Sequence, residues 1–369
     1  SSDSAYLWVE QSIVGFGKLG KSKRIAEQEK VQSISEAEAQ RLRVVNAVRM
    51  LYYEALGAQT MVDLRKRLLE LTREAVEISE ELFNVGQADR PNVLSTEIES
   101  QRAELDLMRA EYDLARVWRV IAAVVNDPQL KASLKPARVA GSLEAEAPML
   151  NQEDLLAQLL RESPEIKAAI AGVARAKAMT DRAKAEPRPD MFVRAWVGHS
   201  RDFAEFFGGL TGWETRVEAG VRIPLFNRNQ GNVSAATAEL MSAEKELQRV
   251  ELVLRARLAE AFNSYMNSLA VAARYNREIL PRAQKAYDMY LSKFRQMAAA
   301  YPQALIAQRT LFQSQTEYVN ALVDLWKNVV QLRGMLLMGG LDAPSSALSV
   351  GMENTRRGIS SPLVFPNDQ

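Results

Sequence analysis

Apolar and polar residues along this 369-residue chain follow two different periods. In the stretch ETRVEAGVRI, residues 214–223, one side of an extended chain carries Thr215, Val217, Ala219, Val221 and Ile223. Glutamate, arginine and glycine occupy the positions between them. This alternation predicts a β-strand with an apolar face and a polar face. After Gly231 apolar residues recur at steps of three and four, which predicts a long helix with one packing stripe.

The same two patterns predict three strands and five helices in the whole chain. The predicted strands cover residues 6–14, 189–200 and 214–224. The predicted helices cover residues of about 21–84, 91–126, 152–186, 231–295 and 302–338. Pro281 is expected to kink the fourth helix, because proline lacks the N–H that a helix interior needs. Roughly 60 helical residues would reach about 90 Å, which is typical of a coiled coil or a helical tube.

The chain also contains a weak internal two-fold repeat. Residues 83–94 read FNVGQADRPNVL and residues 294–305 read FRQMAAAYPQAL, with Phe, Pro and Leu at matching offsets. We therefore divide the chain into a first repeat, 1–126, an irregular linker, 127–151, a second repeat, 152–340, and a tail, 341–369. The first repeat lacks a counterpart of the helix and strand that open the second. We expect such a helix and strand to precede residue 1.

Composition narrows the classes of function. Lys and Arg number 47 against 46 Asp and Glu, so the net charge of +1 gives no reason to expect a nucleic-acid partner. Cysteine is absent, which excludes disulfides, thiolate metal sites and a cysteine nucleophile within these residues. No run of 18 apolar residues predicts a transmembrane helix. A membrane β-barrel would show none either, because its strands need only about 9–11 residues.

No combination of residues predicts catalysis, so we expect no enzyme activity, no cofactor and no metal site. The single histidine, His199, ends a predicted strand and is interpreted as a surface residue. No Cys and His cluster has metal-ligand spacing. Met335 and Met338 lie three residues apart, which is interpreted as packing on a helix rather than copper binding.

Four motifs resemble the TolC family of outer-membrane efflux channels. The family's strand-to-helix crossover is similar to residues 222–239, RIPLFNRNQGNVSAATAE. The PLFNRNQG motif within them is most similar to the heavy-metal efflux branch. VEQSIVGFGKLGKSKRIAEQE, 9–29, resembles the matching crossover of the first repeat. FNVGQADRPNVLSTEIESQRAEL, 83–105, resembles the helix-tip turn. LLRESPEIKAAIAGVARAKAMTDRAKAEPRPDMFV, 159–193, resembles the helix that leads into a barrel strand.

The resemblance implies a mainly α fold with a few β-strands, assembled as a homotrimer. Long helical hairpins would form an α-barrel tunnel through the periplasm, joined to a β-barrel in contact with outer-membrane lipid of a Gram-negative bacterium. The implied function is a passive duct of a tripartite efflux system, with a periplasmic adaptor and a proton-driven inner-membrane pump as partners. The heavy-metal-like crossover implies metal cations as cargo. Tyr6 and Trp8 become candidate aromatic residues at the membrane interface.

The resemblance also indicates two candidate sites. The strand-to-helix crossover consists of Pro224, Asn227, Asn229 and Gly231. The candidate gate at the helix tips consists of Asp89, Arg90, Arg295, Gln296 and Gln303. Many family members carry an acidic residue where this chain has Gln303, so an acidic ring at the gate is not expected here.

A second interpretation stays open at this point. Two antiparallel helical hairpins with a small edge sheet could also form a soluble coiled-coil scaffold or a periplasmic adaptor protein. For each strand taken singly, a soluble hairpin gives the same alternation of apolar and polar residues. The two interpretations differ in where the apolar faces of the strands lie, which the order of residues does not show.

Overall fold

Long helices dominate the fold, with three strands, as the two periods predict. A computed structural model describes residues 4–15, 17–126, 138–200, 212–221, 227–295 and 301–341. Side chains are described for most of these residues. The expected mainly α fold class with a few strands is confirmed.

The elements follow the chain in a simple order. Strand β1 spans Ser4–Ile13, β2 spans Met191–Ser200 and β3 spans Gly212–Val221. The helices are α1 Lys18–Asn84, α2 Arg90–Val125, α3 Gln152–Glu162, α4 Pro164–Ala185, α5 Gln230–Arg274, α6 Leu280–Arg295 and α7 Tyr301–Arg333. A five-residue π-helical turn, Tyr275–Ile279, joins α5 to α6.

The chain forms two compact units. The first contains residues 1–39 and 151–258, and the second contains residues 40–150 and 259–369. Each unit therefore takes one part of α1 and one part of α5. The described part of the linker, residues 138–150, belongs to the second unit.

A three-stranded antiparallel sheet lies in the first unit. The strand order is β1-β2-β3, and Val9, Ala195 and Val217 stand opposite one another across it. Helices α4 and α5 approach each other closely in the same unit, because the Thr180 hydroxyl donates to the Ala236 carbonyl at 3.0 Å. Ala236 at that contact is small and buried, which leaves room for the approach.

The predicted single helix 152–186 is wrong, because the structure divides it at Ser163. This residue has φ −55° and ψ 125°, outside the helical region, and it precedes Pro164. Proline disfavours the helical conformation in the residue before it and starts a new helix well, since its own N–H is missing. Asn151 caps the first of the two helices by accepting a hydrogen bond from the Glu153 N–H at 2.9 Å.

The irregular segment 138–150 is held by side chains of three helices of the second unit. Gln59 on α1 both accepts from the Val139 N–H, at 2.9 Å, and donates to its carbonyl, at 3.3 Å. Three further donors reach carbonyls of this segment: Tyr52 to Ala140, Trp326 to Leu143 and Tyr265 to Pro148. These hydrogen bonds satisfy backbone N–H and carbonyl groups that have no partner from a helix or a strand.

A π-helical turn occupies the place where Pro281 was expected to disturb the fourth predicted helix. The Leu280 N–H donates to the Tyr275 carbonyl, five residues back, instead of four. The wider turn stands directly ahead of Pro281, whose ring and missing N–H would disturb a regular α-turn. The Tyr275 hydroxyl donates to Glu317 on α7, which lowers the pKa of the Glu317 carboxyl.

The last helix ends earlier than the predicted 338, at Arg333. Met335 and Leu336 have φ values of 56° and 60°, in the left-handed region that ends helices. Met335 and Met338 therefore lie beyond the helix, and the interpretation that they pack on it is wrong. Asn46 of α1, fully buried, donates from its amide to the carbonyls of Gly334 and Leu337, both at 2.9 Å.

We expect Asn46→Ala to destabilise the second unit. Two hydrogen bonds to the carbonyls that follow α7 would be lost, each worth about 1 kcal/mol, and both carbonyls would stay buried without that donor. Thermal unfolding followed by circular dichroism checks this as a lower melting temperature. Asn320→Ala, at an exposed position of α7, is the control and should leave the melting temperature unchanged. Equal melting temperatures of the two variants would contradict the role of Asn46.

Candidate functional site

The two faces of the sheet differ sharply in chemistry. Because residues opposite one another share a face, the register assigns one row of side chains from each strand to the same side. One face carries large apolar side chains that are exposed to solvent: Leu7, Val9, Ile13, Met191, Val197, Trp213, Val217 and Val221. Leu7 is 73% and Trp213 is 76% exposed. An apolar surface of this extent indicates contact with lipid or with another apolar surface.

The opposite face is charged. Glu10, Arg194 and Glu218 stand in one row across the three strands. The Arg194 guanidinium donates to the Glu10 carboxylate at 2.9 and 2.5 Å and lies 4.0 Å from Glu218. Opposite charges paired directly across strands stabilise a sheet and keep its register.

Aromatic rings accompany the arginines of the charged face. The Arg216 guanidinium lies over the Trp196 ring, 5.2 Å from its centre, and Arg194 lies 5.8 Å from the centre of the Phe192 ring. Trp8 stands opposite Trp196 and so lies on this face too. Trp8 was expected at the lipid interface. Its position among charged side chains does not fit that expectation, and the side chain of Tyr6 lies outside the described residues.

The junction between sheet and helices contains an ion pair between a buried lysine and a partly exposed aspartate. Lys18, the first residue of α1, has a side chain only 3% exposed, and its ammonium donates to the Asp190 carboxylate at 2.8 Å. The Gly15 N–H donates to the other oxygen of Asp190 at 3.2 Å. The hydrogen bond from Lys18 is the main reason that the pKa of Asp190 lies below its ordinary value. One carboxylate thus joins the end of β1, the start of α1 and the start of β2.

Asn229 connects the second crossover to α4. Its amide donates to the Ala183 carbonyl at 3.0 Å, and its backbone takes a left-handed conformation, with φ 62°. The Asn227 side chain accepts from the Asn229 N–H at 3.0 Å, which forms a tight polar turn just before α5. Gly231 lies exposed in the first turn of α5, with open space where a side chain would project. Pro224 lies outside the described residues.

The first helix tip is a tight turn between α1 and α2. Gly86 has φ 76°, and the Gln87 N–H donates to the Leu82 carbonyl at 2.8 Å. Asp89 precedes α2 as its N-cap residue, but its side chain makes no capping hydrogen bond. Arg90 is exposed, with its guanidinium 5.9 Å from the centre of the Phe83 ring. Asp89 and Arg90 are therefore both exposed to solvent at the turn.

The second tip is described only at its two ends. Arg295 is the last residue of α6, with a side chain outside the described part, and Gln296 lies outside it altogether. Gln303 is exposed in the first turn of α7. Close to this tip Phe294 and Ala304 pack with Ile78 and Leu82 near the end of α1. The ends of the two helical hairpins therefore meet, as expected of two tips at one end.

Several ion pairs that connect helices were not foreseen from the sequence. Glu99 of α2 pairs with Arg309 of α7, and Glu54 of α1 lies 3.3 Å from Arg116 and 3.5 Å from Lys327. The junction pair of Lys18 and Asp190, which connects α1 to the residue before β2, was not foreseen either. These partners lie far apart in the chain, and charged residues are frequent in every helix. The one available signal was the charge of Asp190 at the start of the predicted strand 189–200.

The described residues form neither a metal-binding cluster nor a membrane-spanning helix. No group of three or more His, Asp or Glu side chains there could hold a metal ion. No helix in the described ranges combines the length and the apolar character needed to cross a membrane.

A sequence profile of one protein family matches residues 1–126 and 155–336, which is most of the chain. It describes the outer membrane efflux proteins. The chain belongs to the outer membrane efflux protein family. The resemblance seen in the four motifs is confirmed.

Three known proteins illustrate the similarity. The cobalt-zinc-cadmium resistance protein CzcC of Cupriavidus metallidurans is 26% identical over 271 residues, which are 73% of this chain and 62% of that protein. The outer-membrane channel OprN has 16% identity and a TM-score of 0.75, with 92% of this chain and 81% of OprN covered. CusC has 15% identity and a TM-score of 0.76, with 92% and 83% covered. The two solved structures show that this chain shares their fold.

The stability of the folded chain should depend on pH through Asp190. A carboxyl whose pKa is lower in the folded state than in the unfolded state stabilises the fold at any pH above its unfolded-state pKa. This contribution is lost as the pH falls through the folded-state pKa. Asp190→Asn should lower the melting temperature at pH 7, because the buried Lys18 ammonium loses its carboxylate. Parent and variant should converge only below the ordinary pKa of 3.8.

The control for this experiment is Glu27→Gln. Glu27 is exposed and lies 3.8 Å from Lys23 on the surface of α1, where an ion pair contributes little. Its melting temperature should follow that of the parent at every pH. A difference between parent and Asp190→Asn that stays constant from pH 7 to pH 3 would contradict the assigned role of the Asp190 charge.

Proposed function

We propose that the protein is the outer-membrane channel of a tripartite efflux system. It would act as a passive duct that leads substrates from a periplasmic adaptor and a proton-driven inner-membrane pump to the cell exterior. The observation that carries this proposal is a sheet with an exposed apolar face and a charged opposite face, joined directly to long helices. Membership of the outer membrane efflux protein family supports it.

Lipid on one side and water on the other would explain the two faces. Exposed Leu7, Val9 and Val217 suit hydrocarbon, whereas the Glu10, Arg194 and Glu218 row suits a water-filled interior. A soluble scaffold would leave the apolar face in contact with water. That cost makes the soluble coiled-coil alternative the weaker explanation.

A homotrimer would close the sheet into a barrel. Within the described ranges, β1 and β3 each have one edge without a neighbouring strand. In hydrocarbon each unpaired backbone group costs several kcal/mol, so an open sheet cannot remain in a membrane. Pairing with further strands of the same protein and of two other copies would satisfy these edges. The long helices would then continue the barrel as a tunnel in the periplasm.

Metal cations are the cargo that we propose for the complete system. The support is the similarity to a protein named for cobalt, zinc and cadmium resistance, together with the PLFNRNQG crossover. We assign the choice of cargo mainly to the pump. The duct would provide only the passage.

Lysine on the apolar face should prevent membrane insertion. Val9 and Val217 stand in the middle row of the sheet, where a lysine would cost about 2–4 kcal/mol in hydrocarbon. We expect Val9→Lys and Val217→Lys, made in the full-length protein, to reduce the amount in the outer-membrane fraction at least tenfold. The control is Ser12→Lys, which places the same charge on the opposite face. If all three variants insert like the parent, the apolar face does not meet lipid.

The gate is expected at the helix tips. Exposed ion pairs and amides there would hold a closed state that opens readily, since each exposed pair is worth only about 0–1 kcal/mol. Asp89→Ala, Arg90→Ala and Arg295→Ala should each raise the single-channel conductance of the complete protein in planar bilayers, without loss of helix. Arg24→Ala, at an exposed position of the first unit, serves as the control and should keep the parent conductance.

Two results together would place the gate elsewhere. The first is parent-like conductance of all three tip variants. The second is unchanged export after cysteine pairs have been joined across the tips. Gln303 and residues deeper in the lumen would then be the next candidates.

A further inference from the structure

An open groove of about 590 Å³ lies in the first unit, between helices α1, α4 and α5. We call it the α4 groove, because small residues of α4 form its floor: Ala168, Ala169, Gly172 and Ala176. A carbon atom added at Gly172 would meet the side-chain carbonyl oxygen of Gln32, on α1, at 3.9 Å. The short side chains of α4 therefore create the space. A volume of this order is typical of binding sites for small molecules.

Charged side chains form the walls of the α4 groove, and most of them satisfy one another. The lining contains four carboxylates and three guanidinium groups: Glu36, Glu165, Glu239, Glu246, Arg175, Arg249 and Arg257. The Arg249 guanidinium donates to the Glu246 carboxylate at 2.7 and 2.5 Å. Arg257 lies 3.7 Å from Glu165. Glu36 accepts a hydrogen bond from the Gln32 amide at 2.9 Å.

Arg175 is the exception among these charges. Its Nε–H group is buried and donates to no acceptor. Among the residues that the structure describes, Arg175 forms neither a hydrogen bond nor an ion pair. A buried N–H group without an acceptor destabilises the fold, and the cost is larger when the group carries a charge. This guanidinium is therefore suited to an acceptor that comes from outside the chain.

Gln32 supplies a second, complementary signal. Its Oε1 atom is buried and accepts from no donor, while its amide nitrogen already donates to Glu36. The Oε1 atom lies beside Gly172, and Gly172 precedes Arg175 by three positions, on the same side of α4. One donor and one acceptor without partners thus border the same groove, about one helical turn apart.

The charges of the α4 groove define the class of ligand that fits. A carboxylate matches the planar guanidinium of Arg175, because the two groups can form a pair of parallel hydrogen bonds. The Gln32 carbonyl needs a donor, and the exposed Glu239 carboxylate, which has no partner in the described ranges, favours a donor with a positive charge. A phosphate fits less well, because carboxylates outnumber guanidinium groups in the lining.

The uncharged part of the lining is aliphatic. Val250 and Val253 of α5 border the groove together with the alanines of α4. A branched aliphatic side chain would bury apolar surface there, whereas a polar one would find few partners.

We propose that the α4 groove binds an α-amino acid with an aliphatic side chain. Its carboxylate would accept from Arg175, and its ammonium would donate to Gln32 and face Glu239. Its side chain would pack against Val250 and Val253. Both charged groups of an α-amino acid are attached to one carbon, so they can reach a donor and an acceptor one helical turn apart. The inference goes beyond the proposed function, because the site lies within one chain and requires neither a trimer nor a channel.

Titration calorimetry of the full-length protein in detergent, with L-leucine as the ligand, tests the site. We expect saturable binding with one molecule per chain. Arg175→Gln should weaken it at least tenfold, because the charge-assisted hydrogen bonds to the carboxylate are lost. The control is Lys177→Gln, which removes the same charge from an exposed position of α4 outside the groove and should bind L-leucine like the parent.

Two analogues of L-leucine test the assignment of its charged groups. Leucinamide lacks the carboxylate, and isocaproate lacks the ammonium. Each should bind at least tenfold more weakly than L-leucine, because one buried polar atom of the groove stays without a partner. Equal binding of isocaproate and L-leucine would overturn the role of Gln32 and Glu239. Equal binding of leucinamide and L-leucine would overturn that of Arg175.

Protection of a thiol gives a readout that does not depend on the heat of binding. The 369 residues contain no cysteine, so Ala169→Cys places a single thiol on the floor of the groove. We expect a charged thiol reagent to label it and saturating L-leucine to slow the labelling. Lys177→Cys should be labelled at one rate with and without L-leucine. An Ala169→Cys thiol closed to the reagent in the folded protein would overturn the proposal, because another part of the assembly would then fill the groove.

Filling the α4 groove without changing its charge provides the last test. Ala168→Leu should abolish L-leucine binding and leave the helix content, measured by circular dichroism, unchanged. If Ala168→Leu and Arg175→Gln both bind L-leucine like the parent, or if the parent binds none, the proposed site is wrong. Single-channel conductance separates this result from the proposed function. A parent that conducts but does not bind L-leucine would overturn the site alone and leave the proposed channel standing.

Discussion

The ion pair of Lys18 and Asp190 lies where two incompatible kinds of secondary structure meet. A strand pairs its backbone with neighbouring strands, whereas a helix pairs within itself, so the residues between them can lose both sets of partners. Here Asp190 accepts from the Gly15 N–H and from Lys18, which links the end of β1 to the starts of α1 and β2. The charge of Lys18 can be buried only because this carboxylate accompanies it. The direct passage from sheet to helix depends on that contact.

The second crossover solves the same problem without a charge. Asn229 takes the left-handed conformation and donates to the Ala183 carbonyl at the end of α4. Asparagine tolerates this conformation better than most residues. A similar use of side chains occurs along segment 138–150, where Gln59 pairs with both polar groups of Val139. Where the chain leaves its helices and strands, long polar side chains replace the missing backbone partners.

Helices and strands with a clear period of apolar and polar residues could be predicted from the sequence. Contacts between residues that are far apart along the chain could not. Alternation over 214–223 revealed β3 and its two faces, because a strand's period depends on neighbouring residues alone. The row of Glu10, Arg194 and Glu218 required the register between strands that are far apart in the chain. The break at Ser163 had a visible signal in Pro164, but the regular apolar pattern around it favoured one helix. For the first tip, the sequence located the turn, whereas the packing of Phe294 on the end of α1 needed the fold.

The π-helical turn before Pro281 adds one residue to a repeating pattern and so changes its phase. Ahead of it, the buried residues Ala261, Tyr265, Ser268 and Ala272 follow at steps of four and three. Continued without interruption, this series would arrive at residues 282 and 286, but the structure packs Ala283 and Tyr287. The extra residue therefore decides which side of α6 is buried and which side, with Met289, stays outside. A chain shortened by one residue between 275 and 279 would carry Ala283 and Tyr287 at positions 282 and 286, so an uninterrupted α-helix would bury the same two side chains.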